Sequence, residues 1–191
     1  ASLIERLLLG RVVRNAAMIC TVSESTRRDL LHRYTHINAS HVVPVFAGPQ
    51  SIPVMHSPAS PAMIVCIGTL CPRKNQLRLI HAYEALPSSI REHTQLILVG
   101  KRGWNDADIV SLASKTNGVE WKGYCSDAEV SSLLSRATVL AMPSLYEGFG
   151  IPVLDAMQSG IPVLTSNTSS LKEIAKNAAV LIDPLDTESI T

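Results

Sequence analysis

What most constrains this chain is an alternation. From residue 62 to the end, short runs of β-branched and aliphatic residues take turns with segments of helical apolar spacing. The candidate strands are MIVCIG (63–68), QLILVG (95–100), VEWKG (119–123), TVLAMP (138–143), IPVLT (161–165) and AVLID (179–183). Between them, helices are expected over 75–86 after Pro72, with Leu77, Ile80 and Tyr83 on one face, and over 127–135 after the cap-like Ser126. Two more are expected over 151–159, ending at Gly160, and over 171–176 after a Ser169–Ser170 cap. A strand, a crossover helix and another strand bring the chain back to the same end of the sheet, so the strands must run parallel. The expected fold class is α/β: a doubly wound, Rossmann-like parallel sheet of about 130 residues, an ordinary domain size.

The first sixty residues do not share this repeat. A helix is expected over 3–14, a strand over MICTVS (18–23), a helix over 24–34 capped by Ser23, and a short strand over HVVPV (41–45). Residues 46–61 hold Pro, Ser and Gly without an apolar period and are expected to form a linker. The expected organisation is the tail end of another domain over 1–45, a linker over 46–61 and the parallel-sheet domain over 62–191.

Charge narrows the partners. Lys plus Arg number 17 against 16 Asp plus Glu, so no global field draws the chain onto nucleic acid, and any basic site must be local. Cys20, Cys66, Cys71 and Cys125 show no CxxC spacing, and three of them lie in or beside apolar runs, which fits a reduced, cytoplasmic chain. Apolar stretches such as 62–68 are far too short to span a bilayer, and the N-terminus has no signal-peptide pattern; peripheral association with a membrane face is left open. No metal is expected. DAD at 106–108 is the first turn of a helix, and His32 with His36 is an isolated i, i+4 pair.

The blocks TVSESTRRDLL, IGTLCPRKNQLRLIHAYEAL, LILVGKRGW, GYCSDAEVSSLLSRA, MPSLYEGFGIPVLDAMQSGIPVLTSNTSSLKEIA and AAVLIDPLD resemble, in collinear order, the retaining glycosyltransferases of family 4, of GT-B fold. The resemblance spans nearly the whole chain and is most specific at PRKN and PSLYEGFG. It implies two Rossmann-like domains facing each other across a cleft, an N-terminal one for the acceptor and a C-terminal one for a nucleotide-sugar donor. Residues 62–191 would then be the donor domain, and 1–45 the last part of an acceptor domain whose remainder is missing from this sequence. It implies transfer of a hexose, mannose first, from a nucleotide-diphosphate sugar such as GDP-mannose to a glycan or lipid-linked acceptor, without a metal or other cofactor. The isolated fragment would then be inactive. A non-catalytic nucleotide-sugar-binding or interaction module is the alternative.

Physical chemistry places the site at two loops. A helix beginning near Gly150 offers unpaired N–H groups and a positive dipole end at the carboxyl edge of the sheet, where an anion is stabilised. Gly148 and Gly150 lack Cβ atoms, so a diphosphate or sugar can approach the chain over Gly148, Phe149, Gly150 and Ile151. Glu147 is poised to accept hydrogen bonds from sugar hydroxyls. Asp155 lies about 7 Å further along the helix axis, a spacing suited to ribose hydroxyls. The pair resembles the family's E-x7-E motif, with Asp in place of the second Glu. Taken alone, such residues near a turn equally serve to stop a strand and cap a helix.

The basic partner is PRKN. Lys74 and Arg73 follow the first strand of the domain, at its ligand-binding end, and are expected to meet the donor diphosphate as point charge and fork. Gly68 and Thr69 open that loop. Many family members carry an arginine where this chain has Thr69, so Arg73 is either its substitute or a solvated helix-start charge. Loops 101–105 and 123–126 are placed to enclose a base. Trp104 either stacks there or packs, and Tyr124 contributes through its ring or, more in keeping with the pattern, through the backbone of 123–125. Glu173 matches a family glutamate and also suits a helix start.

Overall fold

In a computed structural model, residues 3–50 and 54–191 are described, with side chains from residue 8 onward. The chain divides into two compact units, Ala1–Ala47 and Gly48–Thr191.

The first unit contains α1 (Leu3–Asn15), β1 (Ile19–Thr21), α2 (Glu24–Arg33) and β2 (Val42–Pro44). β1 and β2 pair in parallel, Ile19 opposite Val42. Ser23 caps α2 as expected: its extended backbone (φ −157°, ψ 162°) lets the hydroxyl accept the Thr26 amide.

The second unit is a six-stranded, wholly parallel sheet in the order β5-β4-β3-β6-β7-β8. Its strands are β3 (Ala62–Ile67), β4 (Thr94–Val99), β5 (Val119–Trp121), β6 (Val139–Met142), β7 (Val163–Ser166) and β8 (Val180–Ile182). Its helices are α3 (Gln76–Ala85), α4 (Ser88–Arg91), α5 (Ala107–Lys115), α6 (Asp127–Arg136), α7 (Ile151–Gln158), α8 (Ser169–Ala175) and α9 (Thr187–Ile190). All six expected strands and the four expected helices of this region are present, as is α5, whose first turn was expected at DAD. α4 and α9 were not anticipated, because four residues are too few to carry a helical apolar period. α8 begins two residues before the expected 171, with Thr168 rather than the serine pair in the capping position. The serines instead enter the helix and turn their hydroxyls to the neighbouring loop.

Both sheet faces are covered, and the core divides accordingly. Met63, Val65, Ile97, Val99, Leu140 and Met142 pack with Leu133 and Leu134 of α6, Val153 of α7 and Leu171 of α8. Cys66, Leu96, Leu98 and Ala141 point the other way, against Leu79 and Ile80 of α3 and Ile109 of α5. Successive residues of β4 alternate between the two layers, as a pleated strand buried on both faces requires.

The stretch expected as a linker is irregular, yet from residue 48 it belongs to the second unit. The Gln50 amide donates to Asp155, the Val54 amide to Ser159 Oγ, and the Ser57 and Ala59 amides to the carbonyls of Ser135 and Arg136. Part of that stretch, 51–53, lies outside the described residues.

The strand order reverses between β3 and β6. Crossovers from β3 proceed outward through β4 to β5, and those from β6 outward through β7 to β8, so the loops leaving β3 and β6 diverge and open a crevice between them. Those two loops carry PRKN and LYEGFG.

Candidate functional site

The loop after β3 turns sharply. Gly68 takes φ 151°, and a Cβ there would sit 2.7 Å from Lys74 Cε. Its bareness therefore makes room for the lysine side chain. Pro72, Arg73 and Lys74 form a short 3-10 turn, preceded by Cys71 in the N-cap position, that ends on Asn75 in the left-handed region, φ 62°. Gln76 braces the loop from inside. Fully buried, it donates Nε2 to the Gly68 and Thr69 carbonyls at 3.3 and 3.1 Å, and its Oε1 accepts the Cys71 amide at 3.4 Å.

The loop after β6 is held by hydroxyls from its neighbour. Thr165 donates to the Met142 carbonyl at 3.0 Å, Ser166 to that of Ser144 at 2.7 Å, and Thr168 to that of Leu145 at 3.4 Å. Ser169 Oγ accepts the Glu147 amide at 3.1 Å, and Ser170 Oγ lies 2.9 and 2.6 Å from the Glu147 and Phe149 carbonyls. The stretch TSNTSS (165–170) is thus a ladder along the backbone of 142–149. Sequence reasoning read only Ser169 and Ser170 in it, as a cap. Its signal is the density of Ser and Thr immediately after a parallel strand.

These two loops bring three charged groups together. Lys74 Nζ lies 2.7 Å from Glu147 Oε1, and Arg73 Nη1 lies 2.9 Å from Oε2. Arg73 Nη1 also donates to the Tyr146 carbonyl at 2.6 Å, and the Leu145 amide donates to the Arg73 carbonyl at 2.8 Å. Arg73 is thereby paired with the carboxylate. The Glu147 side chain is 9% exposed and that of Lys74 12%, whereas Arg73 keeps 41%. Burial alone would raise the Glu147 carboxyl. The adjacent Lys74 ammonium and the hydrogen bonds from Lys74, Arg73 and Ser144 together outweigh it and hold the group below its ordinary range. Cys66 lies behind the cluster at the end of β3. Burial, only partly offset by Lys74 and reinforced by Glu147, pushes its thiol up to about 12.

Gly150 takes φ 116° as it opens α7, and its missing Cβ would fall 2.8 Å from Leu171 Cδ2. Its bareness fits the turn against α8. Gly148 is half-buried, Phe149 is buried with its carbonyl on Ser170, and Ile151 is the first residue of α7. Asp155 stands in the same helix, where its Oδ1 accepts the Gln50 amide at 2.8 Å. Thr69 is exposed at the loop mouth, and Glu173 is half-buried in α8.

The loops after β4 and β5 complete this edge. Leu70 N–H donates to the Lys101 carbonyl, Gly100 N–H to that of Gly123, and Trp121 Nε1 to that of Gly100 at 2.9 Å. Lys101 Nζ sits 4.5 Å from the centroid of the Tyr124 ring, and both Tyr124 and Trp104 are exposed. DAD begins α5 as expected. Asp106 is occupied by a two-pronged pair with Arg102, at 2.9 and 3.0 Å, and the arginine's hydrogen bond keeps its carboxyl below the ordinary range. A cleft of about 560 Å³ lined by Tyr83, Glu84, Arg91 and Lys115 lies at the other end of the strands. Doubly wound sheets bind ligands at the carboxyl ends, which favours the Glu147 cluster.

The family model described as "Glycosyl transferases group 1" matches residues 50–191. O-antigen chain mannosyltransferase B of Escherichia coli is 33% identical over 192 residues, spanning 93% of this chain and 50% of that protein. MMP alpha-(1->4)-mannosyltransferase of Mycolicibacterium hassiacum is 27% identical, spanning 95% of this chain and 45% of that protein. The chain thus spans about half the length of these relatives. Among solved structures, Anabaena HepE in complex with UDP and glucose superposes with a TM-score of 0.80 at 19% identity, over 97% of this chain and 54% of that one. Sucrose-phosphate synthase from Thermosynechococcus elongatus gives 0.81 at 22% identity, over 99% and 51%. The expected α/β, doubly wound fold is the fold of these glycosyltransferase structures.

Proposed function

We propose, from the premise that this chain belongs to the glycosyl transferases group 1 family, that it carries the donor-binding part of a retaining hexosyltransferase using a nucleotide-diphosphate sugar. The observation that carries this reading is the meeting of Lys74, Arg73 and Glu147 between the carboxyl ends of β3 and β6. When an activated sugar leaves its nucleotide, negative charge develops on the diphosphate. Two cations and the positive end of α7 stabilise that charge in place. No step of this kind requires a metal. Glu147, released from its cations as phosphate oxygens take them over, faces the sugar, where it positions hydroxyls and stabilises cationic character at the anomeric carbon. Lys101 and Tyr124 form a rim suited to a base, and the exposed Trp104 follows Lys101 in the same loop. Mannose is the first choice of sugar, since the curated relatives named above are mannosyltransferases. The acceptor is a glycan or lipid-linked sugar.

The test is calorimetric titration of the chain with GDP-mannose, UDP-glucose, GDP and UDP. Binding of a nucleotide sugar, lost in Lys74→Ala, is the expected result. A folded sample that binds none of the four would overturn the donor role in favour of an interaction module.

A further inference from the structure

Asn75 follows the two cations directly and precedes α3. Its backbone is left-handed, φ 62° and ψ 25°, a conformation asparagine tolerates better than most residues. Its side chain is buried, at 6% exposure, and its polar atoms bond to other segments. Nδ2 donates to the Pro143 carbonyl at 2.9 Å and to the Pro184 carbonyl at 2.8 Å. Oδ1 accepts from Arg78 Nη1 at 2.8 Å, and the same arginine nitrogen donates to the Pro184 carbonyl at 2.9 Å. Pro143 is where β6 gives way to the Glu147 loop, and Pro184 follows β8. Both hydrogens of the one amide are therefore used to tie the loop of Lys74 and Arg73 to two other strand ends.

This matters because lysine and arginine have long, flexible stems. A side-chain ion pair alone tolerates many backbone spacings, and a largely buried carboxylate between two cations is stable only while that geometry is kept. Gln76 braces the cationic loop from inside, and TSNTSS holds the carboxylate loop from the neighbouring strand end. Among the described contacts, Asn75 Nδ2 to Pro143 and Leu145 N–H to the Arg73 carbonyl join the two loops apart from the charged side chains themselves.

We propose that Asn75 is a positioning residue whose carboxamide sets the distance between the Lys74–Arg73 pair and Glu147, and thereby the affinity of this site for a nucleoside diphosphate. The claim about distance stands on the geometry, and the claim about affinity rests on the function proposed above. The groups around the Glu147 carboxyl are Lys74, Arg73, the Ser144 hydroxyl and the Cys66 thiol, so its titration reports the cations' position directly.

The informative variant is Asn75→Gly, which keeps the left-handed backbone and deletes the amide. Two measurements on the full chain are compared: the titration midpoint of the Glu147 side chain by carbon-detected carboxyl NMR, and the affinity for GDP and UDP by calorimetry. The expected result is a Glu147 midpoint that rises toward the ordinary 4.5 and a loss of about tenfold in diphosphate affinity. A lower melting temperature with an unchanged Glu147 midpoint would show a merely structural residue and overturn the proposal. If the midpoint rises but neither the parent nor the variant binds a nucleotide, the positioning role stands and the donor function falls. Should Asn75→Gly not fold, Arg78→Ala carries the same two measurements, since it frees Oδ1 and loosens the amide. A smaller shift in the same direction supports the proposal, and none overturns it.

Discussion

At Glu147, a carboxylate with 9% of its side chain exposed stays charged because two cations lie within 2.9 Å of it. Removing one partner of such a pair leaves a buried charge short of compensation, so Lys74→Ala should cost about 2–4 kcal/mol in urea denaturation at neutral pH, where Arg73 alone remains. The pH dependence follows from the direction of the shift. The folded carboxyl titrates below the ordinary 4.5. The pair's contribution is therefore fully present above 4.5 and is lost as pH falls from there through the lower folded value. Unfolding free energy should drop more steeply below 4.5 in the parent than in Lys74→Ala, and equal slopes would refute this account. Cys66 provides a second readout, because a buried thiol pushed up to about 12 stays protonated. Maleimide labelling of the folded chain at neutral pH, read by mass spectrometry, should modify the exposed Cys20 and leave Cys66 untouched. All three site charges were legible, since PRKN and YEGFG follow recognisable strands. Their mutual pairing was not, because nothing in the sequence places residue 74 beside residue 147.

Elements matter here chiefly through their ends. The six strands were legible because parallel strands buried on both faces read as continuous apolar runs, whereas helix starts depend on which side chain turns inward. Ser169 and Ser170 have cap chemistry and were expected outside α8, yet they lie within it and serve the loop of β6. Ser170→Ala should strand the Glu147 and Phe149 carbonyls in a buried setting and lower stability by about 1–3 kcal/mol, measured by chemical denaturation. Gly150→Ala belongs to the same interface. It forces a side chain into φ 116° and against Leu171, so a loss of about 1–3 kcal/mol is expected, and a neutral result would mean that the turn relaxes.

For the molecule as a whole, the second unit closes its own sheet, buries both faces, and takes residues 48–50 and 54–61 along its helices. Residues 48–191 expressed alone should therefore unfold in one cooperative calorimetric transition. A broad or multi-step transition would show that the unit depends on the residues before it. The sequence by itself determined the fold class, the parallel direction of the strands and the two loops that carry charge. These follow from local apolar period and from residue type, which neighbours along the chain express. Tertiary structure alone decided that β3 lies beside β6, that Arg73 and Lys74 close on Glu147, and that Asn75 ties their loops together. Strand order and side-chain pairing between residues 68 to 74 positions apart are set by how layers pack, and no local pattern encodes them.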